Sequence, residues 1–335
     1  MICAKCVLPE SKPDIWLDEN GVCNICIETE KRNKARKDKG TSKKLLETDL
    51  VKLLNKYKGK KQYDCLVMCS GGKDSTASLY YMKERYKLNP LVFTFDLGFE
   101  TGCAMENINN AVDILGVDFL YFKTNYMKEM FAKIIQSGSK AILCHVCSIW
   151  YMKITFDIAA RYDIPIIVAG WTKGQTVEPD VQTRYDDLAM EYVSMSKATK
   201  EFLENHVKTD PKYKDFPQNM QELIKNARKR HKTVQVSPHW FLPATAEEYT
   251  ALIQEKLKWQ FPKESYPAKS TNCSLNFLSV YLSMKHFGYT HYHVEMSKLI
   301  RSGQMTREEA LRDLELSFDK ETIDELYSQL GCKPE

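Results

Sequence analysis

The stretch Ser70-Gly71-Gly72-Lys73-Asp74-Ser75-Thr76 constrains this chain more than any other. The apolar run Cys65-Leu66-Val67-Met68-Cys69 precedes it and reads as a buried strand. Thr76-Ala77-Ser78-Leu79-Tyr80-Tyr81-Met82 follows and reads as a helix. A strand, a Gly-Gly turn and a helix start make a cradle for phosphate. Glycines let backbone N–H groups approach an anion closely, and a helix N-terminus favours negative charge. Lys73 adds a positive charge, Ser70 and Ser75 add hydroxyls, and Asp74 suits a magnesium contact. The plain alternative is a turn that happens to precede a helix.

The spacing is not that of a Walker loop, whose glycines stand further apart ahead of Gly-Lys-Ser/Thr. Ser-Gly-Gly-Lys-Asp-Ser is instead similar to the PP-loop of ATP pyrophosphatases. That resemblance implies an enzyme that breaks ATP between its α- and β-phosphates and places AMP on a substrate oxygen, which a nucleophile then displaces. On this reading Ser70, Gly71, Gly72, Lys73, Ser75 and Thr76 bind the pyrophosphate portion of ATP. Lys73, Asp74 and Ser70 are the catalytic candidates, with Asp74 toward Mg2+ and Asp96 toward the ribose or adenine.

The surrounding chain alternates strands and helices as a parallel sheet does. Strands are expected at 64–69, 91–95 (ending at Asp96), 118–122 and 164–169 (ending at Gly170). Helices are expected at 45–57, 75–86, 102–115, 126–136 and 147–162. The expected fold is α/β: a doubly wound, mostly parallel sheet of the PP-loop type, with an N-terminal zinc ribbon and a helical C-terminal region. In open α/β sheets ligands sit beyond the carboxyl ends of the strands. That rule gathers Ser70 to Ser75, Asp96 and the loop Gly170-Trp171-Thr172-Lys173-Gly174-Gln175. Gly170, Lys173 and Gln175 become candidates for nucleotide or substrate contact, against the alternative of an ordinary glycine turn.

The expected division is a ribbon at 1–30, a linker with an amphipathic helix at 31–62, the ATP domain at 63–190 and a mainly helical region at 191–335. Residues 197–233 are polar and lysine-rich, and read as helices with a mobile connection or lid. Thr245-Ala246-Glu247-Glu248 and Thr306-Arg307-Glu308-Glu309 fit the capping box and start helices. Ser237-Pro238-His239-Trp240-Phe241-Leu242-Pro243 is bracketed by prolines and reads as aromatic packing or a small-molecule pocket. His291 and His293 lack a metal spacing and read as structural.

Eleven cysteines need an explanation. No run is apolar enough for a membrane span and the start lacks a signal-peptide core, so the expected location is cytoplasmic. There, cysteines argue for metal or redox chemistry over a disulfide framework. Cys3, Cys6, Cys23 and Cys26 form a Cys-x2-Cys-x16-Cys-x2-Cys pattern, the spacing of a structural four-thiolate Zn2+ site. So short a segment would draw its stability from the metal. Cys144-His145-Val146-Cys147 is a second pair, with Cys273 a candidate third thiolate. Three thiolates suit a [4Fe-4S] cluster with one iron open to sulfide or substrate. A second zinc with His145, a redox dithiol, and three unlinked thiols stay open. The net charge of +4 and the basic runs at 31–44 and 228–232 read as solvated surface or linker, with RNA contact as the alternative.

With those residues in view, the chain resembles the N-acetyl sugar amidotransferase family of PP-loop enzymes nearly end to end. The likeness rests on Cys3-Ala4-Lys5-Cys6-Val7-Leu8-Pro9-Glu10, Gly21-Val22-Cys23-Asn24-Ile25-Cys26, and Ser70 to Thr76. It extends to Tyr162-Asp163-Ile164-Pro165-Ile166 and Gln304-Met305-Thr306-Arg307-Glu308-Glu309-Ala310. It implies adenylation of an acetamido oxygen on a bacterial surface sugar and displacement by ammonia to give an amidine. A separate glutaminase partner would supply the ammonia. The chain departs at Gly170-Trp171-Thr172, where that family has Gly-Glu-Asn, and in its middle Cys-x2-Cys. That middle pair with a later cysteine is similar to the PP-loop tRNA 2-thiolation enzymes, in which sulfur displaces AMP. A non-catalytic nucleotide-binding scaffold is the remaining alternative.

Overall fold

The computed structural model describes residues 1–38, 46–175, 193–263, 265–267, 273–315 and 319–334. Part of the expected linker, at 39–45, and the end of the expected ATP domain, at 176–190, lie outside the described residues.

Five strands form one sheet: β1 (Cys65–Met68), β2 (Pro90–Asp96), β3 (Asp118–Lys123), β4 (Ile166–Ala169) and β5 (Val234–Val236). Their order is β3-β2-β1-β4-β5, and every pairing is parallel. Val67 at the centre pairs with Val92 on one side and Val168 on the other. Alternate residues of β1 enter different cores, which is why the strand is apolar throughout. Leu66 and Met68 join Leu91, Phe93 and Ile167 on one face. Cys65, Val67 and Cys69 join Val92, Ile166 and Val168 on the other.

The described residues form thirteen α-helices, most of them packed on the two faces of this sheet. They are α1 (Asn24–Asp38), α2 (Glu47–Tyr57), α3 (Lys73–Tyr80), α4 (Gly102–Leu115), α5 (Tyr126–Gln136), α6 (Leu143–Arg161), α7 (Val193–Phe202), α8 (Met220–His231), α9 (Ala246–Leu257), α10 (Leu275–Phe287), α11 (His291–Arg301), α12 (Arg307–Asp313) and α13 (Lys320–Gln329). On one face α2, α3, α4 and α9 bury Leu50, Leu79, Ile108 and Ile253. On the other α5, α6, α8, α10 and α13 bury Phe131, Met152, Ile224, Leu278 and Leu326. Helices on both faces of a parallel sheet make the fold doubly wound. Each fully buried leucine or phenylalanine here contributes about 1.5–3 kcal/mol of transfer free energy.

Local rules explain the helix limits. Thr101 caps α4 by accepting the Ala104 N–H at 3.2 Å, and Gly116 ends it in the left-handed conformation at φ 56°. Thr245 and Thr306 close reciprocal capping boxes with Glu248 and Glu309 at the starts of α9 and α12. Three expectations change. Helix α6 begins at Leu143 instead of 147, so both Cys144 and Cys147 lie on its first turns. Residues 197–233 are not a free lid, because Phe202, Val207, Tyr213, Phe216 and Ile224 are packed into the core of one sheet face. The same region leads into β5, which pairs with β4.

The N-terminal segment is organised by short bridges, Ile2 with Pro9 and Leu17 with Cys23. It packs through Cys3, Leu8 and Ile15 against Ile142, Met195, Tyr289 and Val294. Among the described residues no helix is long and apolar enough to cross a membrane.

Candidate functional site

The sheet order reverses between β1 and β4, and the loops leaving those two strands meet. Gly170, just past β4, touches the start of α3: a Cβ there would lie 2.4 Å from both Cα and N of Ser75. Only glycine permits that approach.

Within the 70–75 turn, Gly71 has φ +75°, and a Cβ on it would lie 2.3 Å from the Ala104 carbonyl oxygen. Its carbonyl accepts Trp259 Nε1 at 2.8 Å and Asn107 Nδ2 at 3.3 Å. Because the peptide is planar and trans, anchoring that carbonyl turns the Gly72 N–H the opposite way. Ser75 Oγ donates to the Gly72 carbonyl at 3.1 Å and accepts the Ser70 N–H at 3.1 Å. Ser70 Oγ lies 3.2 Å from Ser75 Oγ. These bonds from the protein's own groups fix the turn, with the N-terminus of α3 at its end.

Lys73 Nζ donates to Asp74 Oδ2 at 2.7 Å, and the Tyr249 hydroxyl donates to Asp74 Oδ1. The Asp74 carbonyl accepts from Ser78 Oγ at 2.9 Å and from His239 Nε2 at 3.0 Å. Burial presses the Asp74 carboxyl upward, but Lys73, His239 and Tyr249 outweigh it and hold it below the usual range. Burial pulls His239 down, which favours the neutral imidazole. Thr76 stands apart: its side chain is buried and its N–H bonds the Gly72 carbonyl at 3.0 Å.

Asp96 ends β2 beside this turn. Its Oδ1 accepts the Gly98 N–H at 2.5 Å, and its Oδ2 accepts Tyr121 OH and Lys123 Nζ, the latter at 3.3 Å. Burial raises its pKa, but these partners carry it below the ordinary value. In the 170–175 loop, the Gln175 amide oxygen accepts the Thr172 N–H at 3.0 Å, so Gln175 braces the loop. Lys173 Nζ lies 5.9 Å from the centre of the Trp240 ring.

Cys147 and Cys273 both interact with the charge of Glu100, which bridges to Cys273 through the backbone, whereas Cys144, one helix turn before Cys147, packs with the N-terminal core. Burial, followed by the neighbouring charges of Glu100 and the other thiols, pushes Cys147 and Cys273 up; burial does the same to Cys144. Glu100 itself is pushed up to about 8 by burial and by Asp96, and its Oε2 is sealed from water without a hydrogen-bond partner.

The four N-terminal cysteines are different. Cys3, Cys6, Cys23 and Cys26 are all at most 1% exposed, and their sulfurs lie within 4.8 Å of one another. Backbone N–H groups of Lys5 and Cys23 donate to Cys3 Sγ at 3.4 and 3.2 Å, and that of Cys26 donates to Cys23 Sγ at 3.4 Å. Four converging sulfurs with N–H donors fit one tetrahedral, soft metal ion with no open position. Among the described residues no other group of three or more ligand-type side chains closes to that spacing.

Reading the chain alone missed Asn107, Tyr249 and Trp259, which come from remote helices and loops. His239 was visible within its proline bracket, but nothing local linked it to Asp74.

Comparison with known proteins adds four likenesses. The profile of the C-terminal domain of WbpG-like LPS biosynthesis proteins matches residues 271–335. An uncharacterized protein of Methanocaldococcus jannaschii is 28% identical over 166 residues, covering 44% of this chain and 58% of the relative. The chain thus spans little more than half of that relative's length. Among solved structures, an NH3-dependent NAD synthetase from Campylobacter jejuni has a TM-score of 0.33 at 16% identity, covering 65% of this chain and 96% of the other. NMN synthetase from Francisella tularensis has a TM-score of 0.34 at 11% identity, covering 81% and 95%. Structural likeness this slight carries no argument, and the functional reading rests on the site.

Proposed function

We propose that the protein is a PP-loop ATP pyrophosphatase that activates a carbonyl oxygen of a small molecule as its adenylate. The observation that carries this is the prebuilt turn at Gly71 and Gly72, with its carbonyl anchored by Trp259 and Asn107 at the start of α3. Such a turn directs backbone N–H groups and a helix N-terminus at an anion. Ser70, Gly71, Gly72, Lys73 and Ser75 hold the pyrophosphate portion, and Asp96 faces the nucleoside. Asp74 is the magnesium contact, once Lys73 turns from it to the phosphates; the ion supplies charge neutralisation on the leaving pyrophosphate. Gly170, Lys173 and Gln175 border the α-phosphate side. Zn2+ is the metal of the four-cysteine site, where its role is structural.

The acceptor is an acetamido group of a surface-polysaccharide sugar, a reading supported by the WbpG-like match at 271–335. Its amide oxygen attacks the α-phosphorus, and the bond to the β-phosphate breaks. Ammonia from a partner glutaminase adds to the activated carbon and gives up a proton. AMP then leaves with the C–O electron pair, and the product is an amidine. ATP chemistry of this kind places the protein in the cytoplasm.

A second reading is supported by Cys147 and Cys273, which both interact with the charge of Glu100, and by Cys144 one helix turn before Cys147. Here the same adenylate forms, on tRNA or a small molecule, and sulfur in place of ammonia displaces AMP; Cys144, Cys147 and Cys273 would hold an iron–sulfur cluster, which would supply the sulfur chemistry. Mass spectrometry of the acceptor after reaction with ATP and ammonium separates the two. Replacement of oxygen by NH lowers the product mass slightly, as the nitrogen reading requires; a rise by the oxygen-to-sulfur difference would overturn it.

A further inference from the structure

The 170–175 loop is gripped at both ends. Gly170 rests on Ser75, and Gly174 rests on α11: a Cβ at Gly174 would lie 2.5 Å from Glu295 Cγ and 2.8 Å from the Glu295 carbonyl oxygen. Between them Thr172 Oγ1 donates to Glu295 Oε1 at 2.9 Å, across 123 residues of sequence. The loop is closed on itself as well, since the Gln175 N–H donates to the Thr172 carbonyl at 3.1 Å and the Gln175 side chain accepts from Thr172. The Glu295 carboxyl interacts with the charges of both Lys73 and Asp74, and burial pushes its pKa up to about 7. A carboxyl withdrawn from water beside another acid is costly, and an apolar residue of similar size would fill the space at less cost. Such placements concentrate where chemistry needs them.

We propose that Glu295 is a positioning residue of the active site: it clamps the 170–175 loop through Thr172, and so sets Lys173 facing the phosphates held by the 70–75 turn. The segment 271–335 thereby contributes to the nucleotide site as well as packing beside it. This rests on the ATP reading above. Lys173 sits one residue from the clamped hydroxyl, so losing the clamp frees its backbone. Displacement of a positioning group by about 1 Å costs up to about 100-fold in rate.

The test compares Glu295→Ala, Glu295→Gln and Thr172→Val with the parent full-length protein, reading AMP formation and Mg-ATP titrations followed by tryptophan fluorescence. Trp171 and Trp240 flank Lys173 and report its setting. Glu295→Ala and Thr172→Val should each lower kcat by about 10- to 100-fold and weaken Mg-ATP binding, at little change in melting temperature. Glu295→Gln retains an oxygen that accepts the Thr172 hydroxyl and should stay within about threefold of the parent. The double variant Glu295→Ala/Thr172→Val should be no worse than either single one. A Glu295→Gln variant as impaired as Glu295→Ala, or a Thr172→Val variant equal to the parent, overturns the clamp. If Glu295→Ala does not fold, the other two variants still decide. A parent that forms no AMP refutes the ATP chemistry, and the clamp is then judged on the Mg-ATP titrations.

Discussion

In the N-terminal segment two Cys-x2-Cys pairs lie on turns and helix starts, with their four sulfurs within 4.8 Å of one another and N–H donors aimed at them. In α6 a third pair with the same spacing lies along one helix, with Cys147 sharing a core with Cys273 and Cys144 packed with the N-terminal core. The first set fits one metal ion as it stands. The second presents protonated thiols, held so by burial, beside a carboxyl that burial also keeps protonated. The contrast teaches that the spacing of two cysteines does not determine their chemistry; the backbone between them does. A knuckle points both sulfurs at one point, whereas a helix turn puts both on one face and leaves the partners to be supplied by other elements.

The contrast can be broken most sharply by metal removal. Cys6→Ser should abolish the bound metal and destabilise the ribbon outright, because structural zinc supplies about 10–16 kcal/mol in comparable small folds. The loss should spread to α11, since Ser297 Oγ accepts the Val7 N–H at 3.3 Å and Val294 packs with Cys3. Cys147→Ser should leave one zinc per chain and shift the melting temperature by only a few degrees, on the order of 1 kcal/mol. Metal analysis and thermal melts of both variants check this; equal metal loss in the two would erase the distinction.

A smaller effect follows from Glu100. Its pKa is about 8 in the folded protein, against about 4.3 in an unfolded chain. Between those values the folded state holds a proton the unfolded state has released, so this group's contribution to stability is full below the unfolded pKa. It is lost as pH rises through the folded one. Glu100→Gln cannot ionise, so its melting temperature should gain on the parent between about pH 5 and about pH 8.5 by a few degrees. A gap that is constant with pH would mean that Glu100 is charged in the folded state.

Much of the fold was legible because local rules and tertiary packing agree. The helices at Gly102–Leu115 and Tyr126–Gln136 were expected at those limits, set by apolar periodicity and, for the first, by Gly116. Strand β5 was missed because three residues after a lysine-rich run carry no readable period; its existence depends on pairing with β4. The Ser70 to Ser75 turn was legible because one of its glycines, Gly71, is required by its positive φ and by its close approach to Ala104. What holds it was not, because Trp259, Asn107 and Tyr249 reach it from 188, 36 and 175 residues away. The same holds for Glu295, whose partner Thr172 is named by no motif.

On the proposed chemistry, the turn at 70–75 grips a triphosphate so that the bond between its α- and β-phosphates breaks. Phosphorus NMR of nucleotide products, with Mg-ATP, ammonium and a panel of nucleotide-linked N-acetyl sugars, tests it directly. The parent protein should release AMP and pyrophosphate, at a rate that falls by orders of magnitude in Lys73→Ala. ADP and orthophosphate from the parent, or an unchanged rate in Lys73→Ala, would contradict it.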